Sequence, residues 1–219
     1  MKIWFASGNL HKKNELAAIL KTKGCSFELL MPQDAGIDFN PDESGGSFFE
    51  NALIKARELY RILEGSRPQL YVSGDPVIAD DSGLCVDALD GRPGIFSARY
   101  AGKGMEPNNE KLSSSERNVL LLDELGNNVC RAARFVCAMA LLFSPDRFFL
   151  AQDICEGEIV KSPENAAGCG GFGYDPVLFL PTYRCTVAEL PEAEKNKISH
   201  RAKAGMAIAK ILEIIVENK

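Results

Sequence analysis

Polar and apolar positions alternate along this chain with two recognisable periods, and the switches between them predict a mixed order of strands and helices. Lys2 to Ala6 is β-prone and is followed by Ser7-Gly8-Asn9, after which Leu16, Ile19 and Leu20 recur at helical spacing until Gly24. Strand, tight loop and helix are expected in that order. Cys25 to Met31 reads as a second strand, and Pro32 to Gly46 as a long polar loop carrying Asp34, Asp38, Asp42 and Glu43. Ser47-Phe48-Phe49-Glu50 has the form of a capping box, and Phe48, Ala52, Ala56, Leu59 and Leu63 mark the buried stripe of the helix it opens.

Val77-Ile78-Ala79 is a short apolar strand running into Asp80-Asp81-Ser82-Gly83, and Leu84 to Leu89 is apolar again. Gly102 to Ser115 is polar and turn-rich, and Val119 to Leu125 resumes helical character. Phe135 to Phe143 and Phe148 to Ile154, joined through Ser144-Pro145-Asp146, predict an antiparallel hairpin, so the sheet should be mixed. Gly168 to Gly173 is a glycine-rich loop, and Ser199 caps a last helix with a stripe of Ile208, Ala209, Leu212, Ile215 and Val216. The fold class this implies is α/β. At 219 residues one α/β domain, 1–219, in two lobes is expected rather than two separate domains.

Composition narrows the function. Lys and Arg number 25 against 30 Asp and Glu, a net charge of −5, which excludes a basic nucleic-acid-coating surface. The opening residues run directly into Ser7-Gly8-Asn9, leaving no room for an apolar signal segment, and the run Phe135 to Phe143 is far shorter than the ~20 residues of a membrane-spanning helix. A cytoplasmic protein without membrane or nucleic-acid partners is expected. The 7 cysteines are scattered and lack a C-x-x-C pair, so they read as reduced small hydrophobes rather than as a zinc site.

Ser7-Gly8-Asn9-Leu10-His11-Lys12 is a strand feeding a glycine turn into a helix N-terminus, which suits a phosphate; it equally suits an ordinary turn with Asn9 as N-cap. Asp80-Asp81 places two carboxylates side by side, costly unless a cation or a proton transfer uses them. Neighbouring strand residues face opposite ways, so one acid would face a ligand while the other orients a basic partner. The same tetrapeptide is also respectable turn chemistry. Glu43 could bring a second oxygen to Mg²⁺, and Asn51 and Lys55 share a helix face from which the lysine could reach phosphate or stay solvated. Gly168-Cys169-Gly170-Gly171-Phe172-Gly173 matches G-x-G-x-x-G, but Tyr174-Asp175-Pro176 follows where a dinucleotide fingerprint needs a helix. A loop with Phe172 and Tyr174 available to stack on a base remains, against a tight turn with buried aromatics. His200 and Arg201 stand at a helix start, where the dipole disfavours cations unless a ligand or carboxylate compensates.

These residues fall into an order that resembles the inosine triphosphate pyrophosphatase family. The matching motifs are Ser7-Gly8-Asn9-x-x-Lys12, Phe49-Glu50-Asn51-Ala52-x-x-Lys55-Ala56, Ala79-Asp80-Asp81-Ser82-Gly83-Leu84, Gly91-x-Pro93-Gly94-Ile95-x-Ser97-Ala98-Arg99-Tyr100, Gly171-Phe172-Gly173-Tyr174-Asp175-Pro176, Glu194-Lys195-Asn196 and Ser199-His200-Arg201-x-x-Ala204. The resemblance implies a bilobed fold with a long twisted mixed sheet flanked by helices, a central substrate cleft, a homodimer and dependence on Mg²⁺. It implies hydrolysis of ITP, dITP and XTP to the monophosphate and pyrophosphate by Mg²⁺-assisted water attack on the α-phosphorus, cleansing the nucleotide pool. Ser7, Gly8, Asn9, Leu10, His11 and Lys12 would bind the triphosphate, Glu43 and Asp81 the metal, and Asp81 would accept the proton. Ser82, Phe172, Gly173, Tyr174, Asp175, Lys195, His200 and Arg201 would bind substrate, and Lys55 would contact phosphate.

Two departures stand out: Ser7 replaces the commoner threonine, keeping the hydroxyl, and Gly102 to Arg117 is longer than usual near where the family dimerises. Three other readings fit parts of the pattern. A pyrophosphatase of the septum-inhibitor-like branch would take other bases, a nucleotide sensor would not need Asp81 and Glu43, and a dinucleotide-dependent oxidoreductase fails on the context of its glycine motif.

Overall fold

A computed structural model describes residues 1–21, 27–102 and 112–217. The order of elements is β1 (Lys2–Phe5), α1 (Leu10–Lys21), β2 (Glu28–Leu30), α2 (Phe48–Ser66), β3 (Val77–Val86), α3 (Ser114–Leu125), β4 (Ala132–Ser144), β5 (Arg147–Ile159), β6 (Leu178–Leu180), β7 (Cys185–Thr186), α4 (Glu192–Ile198) and α5 (His200–Glu217). The strands form one sheet in the order β2-β1-β3-β4-β5-β6-β7. It is mixed as expected: β1 runs parallel to β2 and β3, and β6 antiparallel to β5 and β7. A two-residue turn joins β4 to β5, which only an antiparallel pair allows.

The chain divides into two compact units. The first holds Met1–Asp81, Cys137–Asp153 and His200–Lys219. Side chains of its strands alternate between two cores. Ile3, Phe5 and Ile78 pack with Leu16 and Leu20 of α1 and with Ile208 and Leu212 of α5. Trp4, Val77 and Ala79 point the other way, onto Ala52, Ala56, Leu59 and Leu63 of α2. The second unit holds Ser82–Val136 and Ile154–Ser199. Its core gathers Leu84 and Val86 with Leu121, Leu122 and Leu125 of α3 and with Val177 and Leu178.

Several expectations need correction. Asp80-Asp81-Ser82-Gly83 is not a turn at a strand end but lies inside the ten-residue β3, because both carboxylates find cationic partners and the backbone stays extended. The loop from Pro32 contains a 3₁₀ turn, Pro32–Ala35, and Phe48 is half-buried, whereas Asn51 and Lys55 join the buried stripe of α2. The capping box does hold in part, with Ser47 as N-cap accepting from the Glu50 amide. The turn-rich stretch from Gly102 lies largely outside the described residues, but α3 begins earlier than read, at Ser114, behind a Ser113–Glu116 capping box. The Lys195 to Ile198 segment belongs to α4, which periodicity did not reveal. Of the cysteines described, Cys85, Cys137 and Cys155 are buried, but Cys130 and Cys169 are exposed; none is disulfide-bonded. Among the described residues no helix is long and apolar enough to cross a membrane.

Candidate active site

In the first unit, the alternation of β3 decides where each acid goes. Ile78 faces α1 and α5 while Ala79 faces α2, so Asp80 and Asp81 continue onto those opposite sides. Asp80 meets Lys12 at 2.9 Å and Arg201, whose Nη2 and Nε donate to its Oδ2 at 3.0 and 3.2 Å. Arg201 Nη1 donates to Glu15 Oε2 at 2.6 Å. The dipole penalty on a cation at the start of α5 is thus compensated by two carboxylates. Burial alone would raise the Asp80 pKa, but Lys12 and Arg201 hold it well below the usual carboxylate range. The same carboxylates keep Arg201 charged although burial opposes it. Cys137 lies against Asp80, and burial followed by that charge pushes its thiol up to about 12, so it carries no thiolate.

Asp81 meets a different set. Lys55 Nζ lies 2.9 Å from Asp81 Oδ1 and 2.9 Å from Glu43 Oε1. The Asn51 amide donates to Asp81 Oδ2 at 3.2 Å, while its own oxygen accepts the Gly45 backbone amide at 2.9 Å. One helix face therefore ties the acidic loop to β3. Burial raises the Asp81 pKa and is only partly offset by Lys55, Lys12 and Asn51, leaving a carboxylate with increased proton affinity. Lys55 is also buried, against the solvated alternative, and burial is outweighed by Asp81, Asp80 and Glu43, so its ammonium binds its proton more tightly.

The turn before α1 is capped by Asn9, whose Oδ1 accepts from the His11 and Lys12 amides at 2.9 and 3.2 Å, and the Ser7 hydroxyl accepts from the Asn9 amide at 3.1 Å. Two of the N–H groups expected for phosphate are thus held by the cap. Gly8, Leu10 and His11 are exposed, and His200, like Arg201, is buried. Oxygen donors from Glu43 and Asp81 around a point already occupied by a cation fit Mg²⁺, a hard ion that takes few carboxylates and keeps several waters. Among the described residues no group of three or more His, Cys, Asp or Glu could hold a metal, and such a water-rich site needs none.

In the second unit, Asp175 organises the glycine loop. Its Oδ2 accepts the Phe172 amide at 2.8 Å and Lys195 Nζ at 2.9 Å. Lys195 Nζ also stands 5.3 Å from the Phe172 ring centroid, a cation–π contact. Phe172 is half-buried and offers a ring face. Tyr174 does not: it is only 4% exposed and its hydroxyl donates to the Ser97 carbonyl at 3.0 Å, so it builds the loop rather than stacking. Ser82 is half-buried in β3.

Sequence reasoning missed Glu15 and Asn118 and gave Asn51 and Ser97 no role. Three of them carry a legible signal, a polar residue on a helix stripe that is otherwise apolar: Glu15 beside Leu16 and Ile19, Asn51 beside Ala52, Asn118 beside Leu121, Leu122 and Leu125.

A family model described as the Ham1 family matches residues 3–211. A dITP/XTP pyrophosphatase of Treponema denticola is 43% identical over 97% of this chain and 99% of its own length. One from Halalkalibacterium halodurans is 41% identical over 97% of this chain and 100% of its own. Among solved structures, the Ham1 protein of Staphylococcus aureus is 34% identical with a TM-score of 0.76, covering 97% of this chain and 98% of its own. A HAM1 protein from Coxiella burnetii is 33% identical with a TM-score of 0.78 at the same coverage.

Proposed function

The chain belongs to the Ham1 family, and we propose that it hydrolyses non-standard purine nucleoside triphosphates, ITP, dITP and XTP, to the monophosphate and pyrophosphate. The observation that carries the reading is the gathering of Glu43 and Asp81 on Lys55, with Asp81 raised in proton affinity. The names of the relatives support the substrate class.

Glu43 and Asp81 would hold Mg²⁺, which when bound neutralises phosphate charge. Asp81 accepts a proton from the water that attacks the α-phosphorus, and the bond to the bridging oxygen breaks as pyrophosphate leaves. Phosphoryl transfer needs mainly positioning and charge neutralisation, which Lys12 and Lys55 supply with the turn Ser7 to Lys12. Ser82 contacts the substrate. Phe172 stacks on the base, with Lys195 and Asp175 fixing its loop. His200 offers a donor to a 6-oxo group, where the 6-amino group of adenine would bring donor against donor, and Arg201, its three nitrogens held by Asp80 and Glu15, serves the substrate by fixing the helix start that carries His200. The reading includes a central substrate cleft, a homodimer and a cytoplasmic role in cleansing the nucleotide pool.

Pyrophosphate release from ITP, XTP, GTP and ATP, with Mg²⁺ and with EDTA, tests it. Strong Mg²⁺-dependent release from ITP and XTP, with little from ATP and GTP, is expected. Binding of ITP without release would leave a sensor, and orthophosphate as product would mean a different phosphorus is attacked.

A further inference from the structure

Asn118 sits in the middle of α3 on its buried face, 9% exposed, where helix packing alone would favour an apolar residue. Its Nδ2 donates to the Gly173 carbonyl at 3.2 Å, 55 residues away. Its Oδ1 is buried without a hydrogen-bond partner among the described residues. Such an acceptor is a standing cost, and a residue that costs the helix stability while holding one distant carbonyl is placed for that carbonyl.

Gly173 is the second residue of the turn Phe172–Asp175, closed by the Asp175 amide donating to the Phe172 carbonyl at 3.3 Å, and it lies at φ 65°. The Gly173 carbonyl belongs to the central peptide of that turn, the group that flips when one turn type converts to another. Gly173 has no side chain to resist the flip. Asn118 grips the central carbonyl of the turn and so fastens the segment between Phe172 and Tyr174 to α3. Asp175 holds the ends of the turn through the Phe172 amide and Lys195, but neither bond fixes the central peptide.

We propose that Asn118 is a positioning residue for base recognition: by pinning the Gly173 carbonyl it fixes the Phe172–Asp175 turn, and through it the Phe172 ring face. This rests on the proposed function for its substrate half only. Asn118 touches no reacting atom, so its loss should appear in binding of the base and not in the chemical step.

The test uses the full chain with Asn118→Leu, which keeps the volume, removes the donor and removes the unpartnered oxygen, and Asn118→Ala as a second variant. Hydrogen exchange of the 172–177 amides should speed up in both, while the Leu variant melts no lower than wild type. KM for ITP should rise roughly five- to tenfold, the fold-change of one neutral hydrogen bond, with kcat within about twofold. In a Phe172→Ala background the Asn118 change should add less than about twofold, because both act through one ring. Unchanged exchange at 172–177, an unchanged KM, or a full additional loss in the Phe172→Ala background would each overturn the proposal. A wild-type chain that releases pyrophosphate from no triphosphate would instead sink the functional reading, and the exchange measurement would still decide whether Asn118 holds the turn.

Discussion

The Tyr174 hydroxyl donates to the Ser97 carbonyl at 3.0 Å, and Ser97 is itself fastened to β3: its hydroxyl accepts the Leu84 amide at 2.8 Å and donates to the Gly94 carbonyl at 2.7 Å. Two hydrogen bonds through Ser97 therefore connect the glycine loop to the strand just after the acid pair, and the bond to Gly94 fixes the Ser97 hydroxyl between them. Burial keeps the Tyr174 phenol protonated, as a donor must be. Tyr174→Phe removes that donor and leaves a buried carbonyl unpaired, which should cost about 1–3 kcal/mol of stability. Urea unfolding of wild type and variant measures it, and an unchanged midpoint would show that the bond contributes nothing.

Asp80 and Asp81 should separate stability from chemistry. Asp81→Asn keeps the shape and can keep the Asn51 contact but cannot take a proton, so kcat should fall by ~10²–10⁴; it also removes one of the two carboxylates on Lys55, which keeps Glu43, so its stability cost should be smaller than that of Asp80→Asn. Asp80→Asn leaves Arg201 and Lys12 without their shared carboxylate and should cost about 3–5 kcal/mol, the usual result of breaking a buried pair. Because Asp80 is held below its ordinary value of 3.8, its contribution is complete at neutral pH and fades as the pH falls below that value. The stability difference between wild type and Asp80→Asn should therefore shrink only in that acid range. Equal losses of activity and stability in both variants would contradict this division.

Much of this site is legible along the chain because it is local. The turn Ser7-Gly8-Asn9, the cap at Ser47 and the glycine loop are each set by a few adjacent residues. Alternation within a strand also told that the two acids would face apart, which is what Lys12 and Lys55 reveal. What stayed hidden depends on partners far away in sequence. Asp80 pairs with Arg201 across 121 positions, and that pairing lets an acid pair stay in an extended strand where local chemistry reads a turn. Tyr174 looked like a stacking ring because nothing near it announces Ser97, 77 residues earlier.

Gly171 has no room for a side chain. It lies at φ 75°, and a Cβ there would come within 2.0 Å of Asp175 Oδ2 and 3.0 Å of Lys195 Nζ. Gly171→Ala should strain the loop and push Asp175 off the Phe172 amide, at about 1–3 kcal/mol for the overpacking alone. KM for ITP should rise more than kcat falls, since the loop carries Phe172 and not the acid pair. Steady-state kinetics on ITP decide it, and an Ala variant with wild-type KM would show that the loop is not part of base recognition.

Glu43 offers the cleanest test of where the metal binds. It reaches Lys55 from a polar loop and its side chain keeps 26% exposure, so Glu43→Gln should leave the fold nearly as stable as wild type. Asp81 alone would then remain as a charged oxygen donor, and Lys55, with one carboxylate fewer against it, would repel a second cation more strongly. The Mg²⁺ concentration giving half-maximal pyrophosphate release should move upward, with much of kcat recovered at saturating Mg²⁺. A titration with the same midpoint in both proteins would place the ion elsewhere, and a kcat loss that excess Mg²⁺ cannot restore would make Glu43 part of the chemistry rather than of the metal's hold.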